Sequence, residues 1–470
     1  MSAAERVYRG SPPWLQTVLL NAHALRIERH RYGPRCSHAL DALLEQDRWP
    51  AERLRALQDS RLRAIIRHAY AHSPWYRRTL DEAGVRPAMI RGIADLPLMP
   101  LLRRADVREH AAALATGGSR RGWLHGGTSG TTGSPLSLWY DRATCVMTNA
   151  VDLRQKRWAG VGPGEWIGVL LGRIVVPTDH ERPPFWRTNA VQRQLWLSSF
   201  HMSPDTLPLY VEELRRRRIA VLEGYPSAIY TLARFLAQRG AVLPMKAVFT
   251  SSETLHGVQR EVMERAFGCP VFDYYGLAER VVFATECEYH YKHIAEEYGH
   301  AEITDSAGRP VPDGQPGFLT GTSLHNTAMP MIRYVTSDIT RIEPGTCPCG
   351  RTLRRMADVT TRAEDAVLRP DGRVIPPPAL THAFKPYPGI LRSQLIQETA
   401  TRVRVKVVAD ATFGAPEERG VVELLRERLG PDMAIEIEHV AEIPAGPGGK
   451  FRWVVSNVAH EGCMPPAGGP

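Results

Sequence analysis

Between residues 166 and 276 short apolar runs alternate with amphipathic stretches, and this alternation limits the fold of the 470-residue chain more than any other feature. "WIGVLL" reads as a buried strand, "PLYVEELRRRR" as a helix and "IAVLEGYP" as a strand. "SAIYTLARFLAQRG" is a helix ending at Gly240 as its C-cap, "MKAVFTSS" a strand, "HGVQREVMERAFG" a helix stopped by Gly268, and "PVFDYYG" a strand. Strands alternating with helices of this length predict an α/β fold around a largely parallel sheet. Ligands of such sheets bind beyond the carboxyl ends of the strands. "TSSE" and "YYGLAE" fall at those ends, where chemistry is expected.

The flanks differ in texture. Residues 14–115 carry helical three-and-four spacing, with "LPLMPLL" read as an extended, proline-broken link. After residue 299 short strands and turn signals dominate, and a boundary is expected near residues 358–367. A small strand–helix–strand unit follows it. The expected organisation is a helical region over 1–115, a large α/β domain with a β-rich part over 116–360 and a small α+β domain over 361–458. A Gly/Pro-rich tail expected to be disordered occupies 459–470. A chain this long exceeds what one core usually supports.

Bulk composition narrows the function classes. Hydrophobic residues at 43% and charged residues at 23% describe an ordinary globular protein. No uncharged apolar run reaches a membrane-spanning length, and the N-terminal stretch lacks a signal-peptide core, so a cytoplasmic protein without membrane attachment is expected. The net charge of +9 is spread along the chain, with "RRRR" at 215–218 the main cluster. Following "YVEEL", it reads as the solvated end of a helix, where cations suit the dipole. A small anionic substrate such as a nucleotide fits the charge better than nucleic acid does. Seven cysteines, an odd number, argue against a disulfide framework.

Five stretches carry chemistry. "HGGTSGTTGSP" places Thr128, Ser129, Gly130, Thr131, Thr132 and Gly133 in a glycine–hydroxyl loop. Such backbone arrays bind anions, phosphate above all, although Ser134 and Pro135 stand where a phosphate loop has its lysine, and a plain surface loop has similar composition. In "FDYYGLAER", Glu279 follows a strand, either as a hard-cation ligand or as an exposed helix-start carboxylate. Asp338, in "RYVTSDITR", suits the two hydroxyls of a ribose or a simple turn. Lys450 ends "AGPGGK" in a chain with only six lysines, and is either a point charge on a mobile arm or an idle turn residue. Cys287, His293, Cys347 and Cys349 together satisfy tetrahedral zinc, with His290 a competing ligand and free buried thiols the alternative.

The first four elements, in this order, resemble the adenylate-forming ligases, the superfamily of acyl-CoA synthetases and luciferases. They resemble most the phenylacetate–CoA ligase-like and CapK-like branch. The N-terminal "LRAIIRHAYAHSPWYRRTLDEAG" and "LEGYPSAIYTLARFL" are similar to that branch too, so the resemblance spans residues 50–456. It implies an adenylate-forming ligase fold whose small C-terminal domain moves after the first half-reaction. The implied activity is ATP-dependent and AMP-forming. A small carboxylic acid, aromatic by family analogy, becomes an acyl-adenylate and passes to CoA or another nucleophile.

The resemblance also distributes roles. Thr128 to Gly133 hold the β- and γ-phosphates, with Thr131 also counted as catalytic. Glu279 binds Mg²⁺, Asp338 and Arg362 hold the ribose, and Lys450 stabilises charge at the α-phosphate. Ser252, Glu253, Asp273, Tyr274 and Tyr275 line the adenine site, while Trp139 and Tyr225 join Tyr275 as candidate walls for the acid. The cysteine–histidine set holds a structural Zn²⁺. Thr361 replaces the family's glycine in the hinge "TRAED". The expected cofactors are ATP, Mg²⁺, Zn²⁺ and CoA; the expected partners are an acid, a nucleophilic acceptor and a second copy in a homodimer. Activation of a non-carboxylate oxyanion such as nitrite, amide or ester formation in a biosynthetic pathway, and an inactive nucleotide-binding scaffold are the alternative readings.

Overall fold

The structure is a computed structural model. It describes residues 3–117, 122–127, 136–177, 180–359, 361–362, 367–370, 374–375, 380, 383–384, 386–387, 389–444 and 451–458. The loop 128–133, Lys450 and the tail 459–470 therefore lie outside the described residues.

The first third is helical: α1 (Ala3–Gly10), α2 (Pro13–Arg31), α3 (Pro34–Gln46), α4 (Ala51–His72), α5 (Pro74–Glu82) and α6 (Arg104–Leu114). In α4 the buried residues Leu54, Gln58, Leu62, Ile65, Ile66 and Ala69 form the stripe that the spacing predicts. Only the second half of the "LPLMPLL" link is extended as expected, with Met99 in extended backbone and Leu102 bridged to Tyr334. Its first half belongs to a 3-10 helix, Ile93–Leu98. The Asp95 carboxylate accepts from the Arg91 and Gly92 backbone amides at 2.8 and 3.1 Å, which winds the turn, while Ile93 and Leu96 are buried beneath it. That side chain–backbone capping outweighs the extended preference read from the prolines.

A hairpin of β1 (Leu124–Gly127) and β2 (Ser137–Tyr140) precedes α7 (Arg142–Trp158). The alternating region then delivers β3 (Ile167–Leu170), β4 (Trp186–Asn189), β5 (Gln194–Leu197), α8 (Leu207–Arg216), β6 (Val221–Gly224) and α9 (Pro226–Ala237). It continues with β7 (Ala247–Ser251), α10 (Gly257–Phe267) and β8 (Val271–Gly276). Gly268 caps α10 at φ 62°, as the sequence predicts. Arg216 and Arg217, from the arginine run, pair with Glu213 on the same helix end.

β3, β5, β6, β7 and β8 pair in parallel at the centre of a ten-stranded sheet. Its margins are antiparallel: β4 on one side, and β9 (Phe283–Glu286), β10 (Lys292–Ile294), β15 (Arg355–Met356) and β14 (Ile342–Glu343) on the other. The parallel character read from the sequence thus holds for the centre alone. Connections such as 287–291 are too short for a crossover and allow only antiparallel return. A second, antiparallel sheet is ordered β11 (Gly299–Thr304), β12 (Gly317–Ser323), β13 (Tyr334–Thr340), β16 (Thr361–Arg362).

The C-terminal part adds a short ribbon of β17 (Val367–Leu368) and β18 (Val374–Ile375). Its main sheet is ordered β21 (Ala434–His439), β20 (Arg402–Ala409), β19 (Ile390–Thr399), β22 (Val454–Ser456). Helix α11 (Ala415–Leu429) buries Val421, Leu425 and Leu429 at four-residue spacing against Leu395, Val403, Val405 and Val407, giving this lobe a core of its own. Among the described residues, no helix is long and apolar enough to cross a membrane.

Candidate active site

The carboxyl ends of β3, β6, β7 and β8 lie along one edge, as parallel pairing requires. Gly224 meets Leu170 there so closely that an added Cβ would fall 2.3 Å from the Leu170 carbonyl oxygen. Two non-glycine residues at this edge hold left-handed backbone, Ser252 at φ 69° and Arg280 at φ 55°. Left-handed conformations of this kind cluster at ligand sites.

β8 and the second sheet bring two sequence-predicted groups together. The Tyr275 hydroxyl donates to Asp338 Oδ2 at 2.5 Å. Asp338 stands opposite Arg362 in the β13–β16 register, so the two expected ribose residues are cross-strand neighbours; the Arg362 side chain lies outside the described residues. Glu279, only 5% exposed, follows in the turn after β8. Its Oε1 accepts from the Tyr334 hydroxyl at 2.9 Å, with Arg104 Nη1 at 3.7 Å. Burial pushes this carboxyl above its usual range, while Tyr334 and Arg104 pull the other way.

Neither Tyr334 nor Arg104 stands out in the sequence. For Tyr334 a signal exists: in "YVTSD" it precedes Asp338 by an even number of residues, so a strand places both on one face.

The β1–β2 hairpin, whose strands are joined in sequence by residues 128–135, is tied to the same turn. Tyr140 of β2 donates its hydroxyl to the Ala278 carbonyl at 2.6 Å, next to Glu279. An added Cβ on Gly126 would lie 2.5 Å from the Tyr140 ring, so glycine lets hairpin and ring close up. Trp139, on the same strand, is packed against a large apolar core, as is Tyr275. Tyr225 belongs to a second core.

Two expected adenine-wall residues are occupied elsewhere. The Asp273 carboxylate accepts from Thr250 Oγ1 at 2.7 Å and meets Lys292 Nζ at 3.0 Å, deep in the sheet. Burial raises it to about 6, against the pull of Lys292. The Tyr274 hydroxyl donates to Glu223 Oε1 at 3.3 Å, within a buried group in which Lys156 Nζ reaches Asp152 at 2.6 Å and Glu223 at 3.2 Å. The side chains of Asp273 and Tyr274 therefore brace the edge. The Glu253 carboxylate accepts from the Ser227 amide and hydroxyl and from the Phe451 amide.

At the far margin of the large sheet Cys287, His293, Cys347 and Cys349 converge, all buried, with one donor atom from each within 4.8 Å of the others. Cys287 Sγ lies 3.7 Å from Cys347 Sγ, and Cys349 Sγ 3.3 Å from His293 Nε2. Tetrahedral zinc with bonds of about 2.3 Å to sulfur sets its donors roughly 3.7 Å apart, so these residues fit the metal. His293 Nδ1 is 3.0 Å from the Leu353 carbonyl, which fixes the ring with Nε2 toward the thiols. His290, the competing candidate, instead lies 2.8 Å from Arg260 and is not in the cluster. A second acidic group, Asp273, Glu286 and Asp358, surrounds Lys292 Nζ, so an ammonium already fills that position.

Residues 367–457 match a family model described as the CapK C-terminal domain. The chain is 27% identical over 450 residues to a phenylacetate–coenzyme A ligase of Thermus thermophilus, covering 87% of this chain and 98% of that protein. It is 23% identical over 473 residues to protein CapK of Staphylococcus aureus, covering 96% and 99%. The fold matches 2-hydroxyisobutyryl-CoA ligase in its postadenylation state with R3-HIB-AMP at a TM-score of 0.70, with 23% identity over 88% of this chain and 91% of that one. The same ligase in its thioesterification state with 2-HIB-AMP and CoA matches at 0.56, with 23% identity over 87% and 91%. The resemblance to adenylate-forming ligases and the expected fold class are both borne out.

Proposed function

We propose that this chain, a relative of the phenylacetate–coenzyme A ligases and of CapK, is an ATP-dependent, AMP-forming ligase that activates a carboxylic acid and transfers it to CoA. The single observation that carries this reading is the match to a phenylacetate–coenzyme A ligase along 98% of that protein and 87% of this chain. The acid's carboxylate oxygen attacks the α-phosphorus of ATP, pyrophosphate leaves, and the CoA thiol then displaces AMP from the acyl carbon.

The site supports a role for each group. Asp338, steered by Tyr275, presents a carboxylate to ribose hydroxyls next to Arg362. Glu279 offers a buried hard oxygen, oriented by Tyr334, that suits Mg²⁺. When bound, that ion would offset charge on the phosphates. The loop from Thr128 to Gly133 would receive the β- and γ-phosphates on backbone amides and hydroxyls, and the Lys450 ammonium would approach the α-phosphate. Zn²⁺ on Cys287, His293, Cys347 and Cys349 would be structural, since four protein ligands close its shell.

The test is pyrophosphate release over a panel of small acids with and without CoA. We expect release with at least one carboxylic acid, formation of its CoA thioester, and a loss of roughly 10²–10³-fold in Lys450→Ala. No release from any carboxylic acid would sink the reading, and release with nitrite alone would replace it.

A further inference from the structure

Glu253 bridges the two lobes. It follows β7 at the carboxyl edge, and its Oε1 accepts from the Phe451 backbone amide at 2.8 Å and from Ser227 Oγ at 3.1 Å. Its Oε2 accepts from the Ser227 amide at 3.0 Å. Ser227 is the second residue of α9, so a carboxylate also suits the positive end of that helix. Phe451 belongs to the small lobe and is bonded in sequence to Lys450.

Two contacts flank this bridge. Arg234 of α9 donates to the Leu391 carbonyl of β19 at 2.8 Å, and the Arg392 guanidinium lies 4.1 Å from the Phe451 ring centroid. Arg392 also feels the Glu253 charge.

We infer that Glu253 is a positioning residue that latches the small lobe in the arrangement used for adenylation and fixes the backbone beside Lys450. The inference rests on the ligase reading and deepens it. The acceptor belongs to the large lobe and the donor to the small one, so any rotation of the small lobe must break the bond. The arrangement seen here resembles the postadenylation shape of 2-hydroxyisobutyryl-CoA ligase more than its thioesterification shape, with TM-scores of 0.70 and 0.56. An adenine contact would matter in both half-reactions, because the adenylate stays bound through both. A latch matters in the first.

The experiment measures the half-reactions separately in the full-length chain: pyrophosphate release from acid and ATP, and thioester formation from supplied acyl-adenylate and CoA. Glu253→Gln keeps the shape and removes the charge. We expect its first half-reaction to fall roughly tenfold, as for loss of one charge-assisted hydrogen bond, and its second by much less. Ser227→Ala, which cuts only a helix-side contact, should leave the ratio of the two rates unchanged. Equal losses in both halves, or no loss in the first, overturn the latch.

A readout independent of turnover separates this outcome from failure of the ligase reading. Nitroxide labels at Gln238→Cys and Glu423→Cys, both exposed and on opposite lobes, are placed in a Cys463→Ser background. Their distance distribution should be narrow with Glu253 and broader in Glu253→Gln. Identical distributions overturn the latch even if no acid is ever activated.

Discussion

One hairpin carries two polar clusters that solve the same problem differently. Along β9 and β10, Glu286 pairs in register with Lys292, while Cys287 and His293 are their immediate successors in the chain. Successive strand residues face opposite sides, so the two sets part company. On one side Asp273, Glu286 and Asp358 gather around the Lys292 ammonium, a cation supplied by the chain. On the other, three thiols and an imidazole converge, with the Arg351 guanidinium beside Cys349. The buried carboxylates of Asp273 and Glu286 are satisfied by a lysine, whereas soft donors at this spacing suit the metal proposed for them. Glu279 is a third case: a buried carboxylate held by Tyr334 and Arg104 in the turn after β8, where Mg²⁺ is proposed to bind.

The largest expected effect tests the proposed metal side. Removing zinc with a chelator, or replacing Cys349 by Ser, should cost several kcal/mol and lower the melting temperature by roughly 5 °C or more in a lobe of this size. Elemental analysis should return one zinc per wild-type chain. A metal-free protein of unchanged stability would erase the contrast, leaving four buried side chains that merely pack.

Next comes the built-in cation. Lys292→Met leaves the buried Asp273 carboxylate without its counter-ion and Glu286 with Arg260 alone, and should destabilise the fold by about 3–5 kcal/mol. The pH dependence has a defined sign. Asp273 already stands at about 6 with Lys292 present, and losing the ammonium raises it further. A carboxyl raised in the folded state stabilises at low pH and loses that contribution as pH rises through its folded value. Denaturant unfolding should therefore show a deficit that grows from pH 5 to pH 8, and a flat profile would mean that Lys292 is not the compensating charge.

The third effect concerns the exchangeable site. Glu279→Gln keeps an oxygen for Tyr334, so its melting curve should stay near that of the wild type. Adenylation should fall by about 10²-fold, equivalent to about 3 kcal/mol in the transition state. Steady-state kinetics against Mg²⁺ concentration would expose the defect. Full activity would place the cation elsewhere.

Legibility varied with the range of the interaction. Strand and helix alternation, the Gly268 cap and the stripe on α4 depend on neighbours within a few residues, and each was readable. The 3-10 turn at Ile93–Leu98 was missed because it is wound by one carboxylate, Asp95, whose capping bonds compete with a proline-based reading. The engagement of the Asp273 carboxylate with Thr250 and Lys292 is hidden in the sequence for a different reason. Its place near a strand end looks the same whether it faces a nucleotide or a lysine, and the lysine is 19 residues away along the chain. Tyr334 and Arg104 escaped notice because neither residue type signals a carboxylate partner until folding brings one within reach.

The sequence by itself determined which residue types could do chemistry and the order in which they come: hydroxyls and glycines, one carboxylate after a strand, spaced thiols, a solitary late lysine. It also determined the local elements, because hydrophobic period and capping act over a few residues. Only the tertiary structure decided which polar groups satisfy one another and which are left to meet a ligand. That choice depends on burial and on contacts between distant segments, such as Glu253 with Phe451 or Lys292 with Asp273, and a linear pattern holds no record of either.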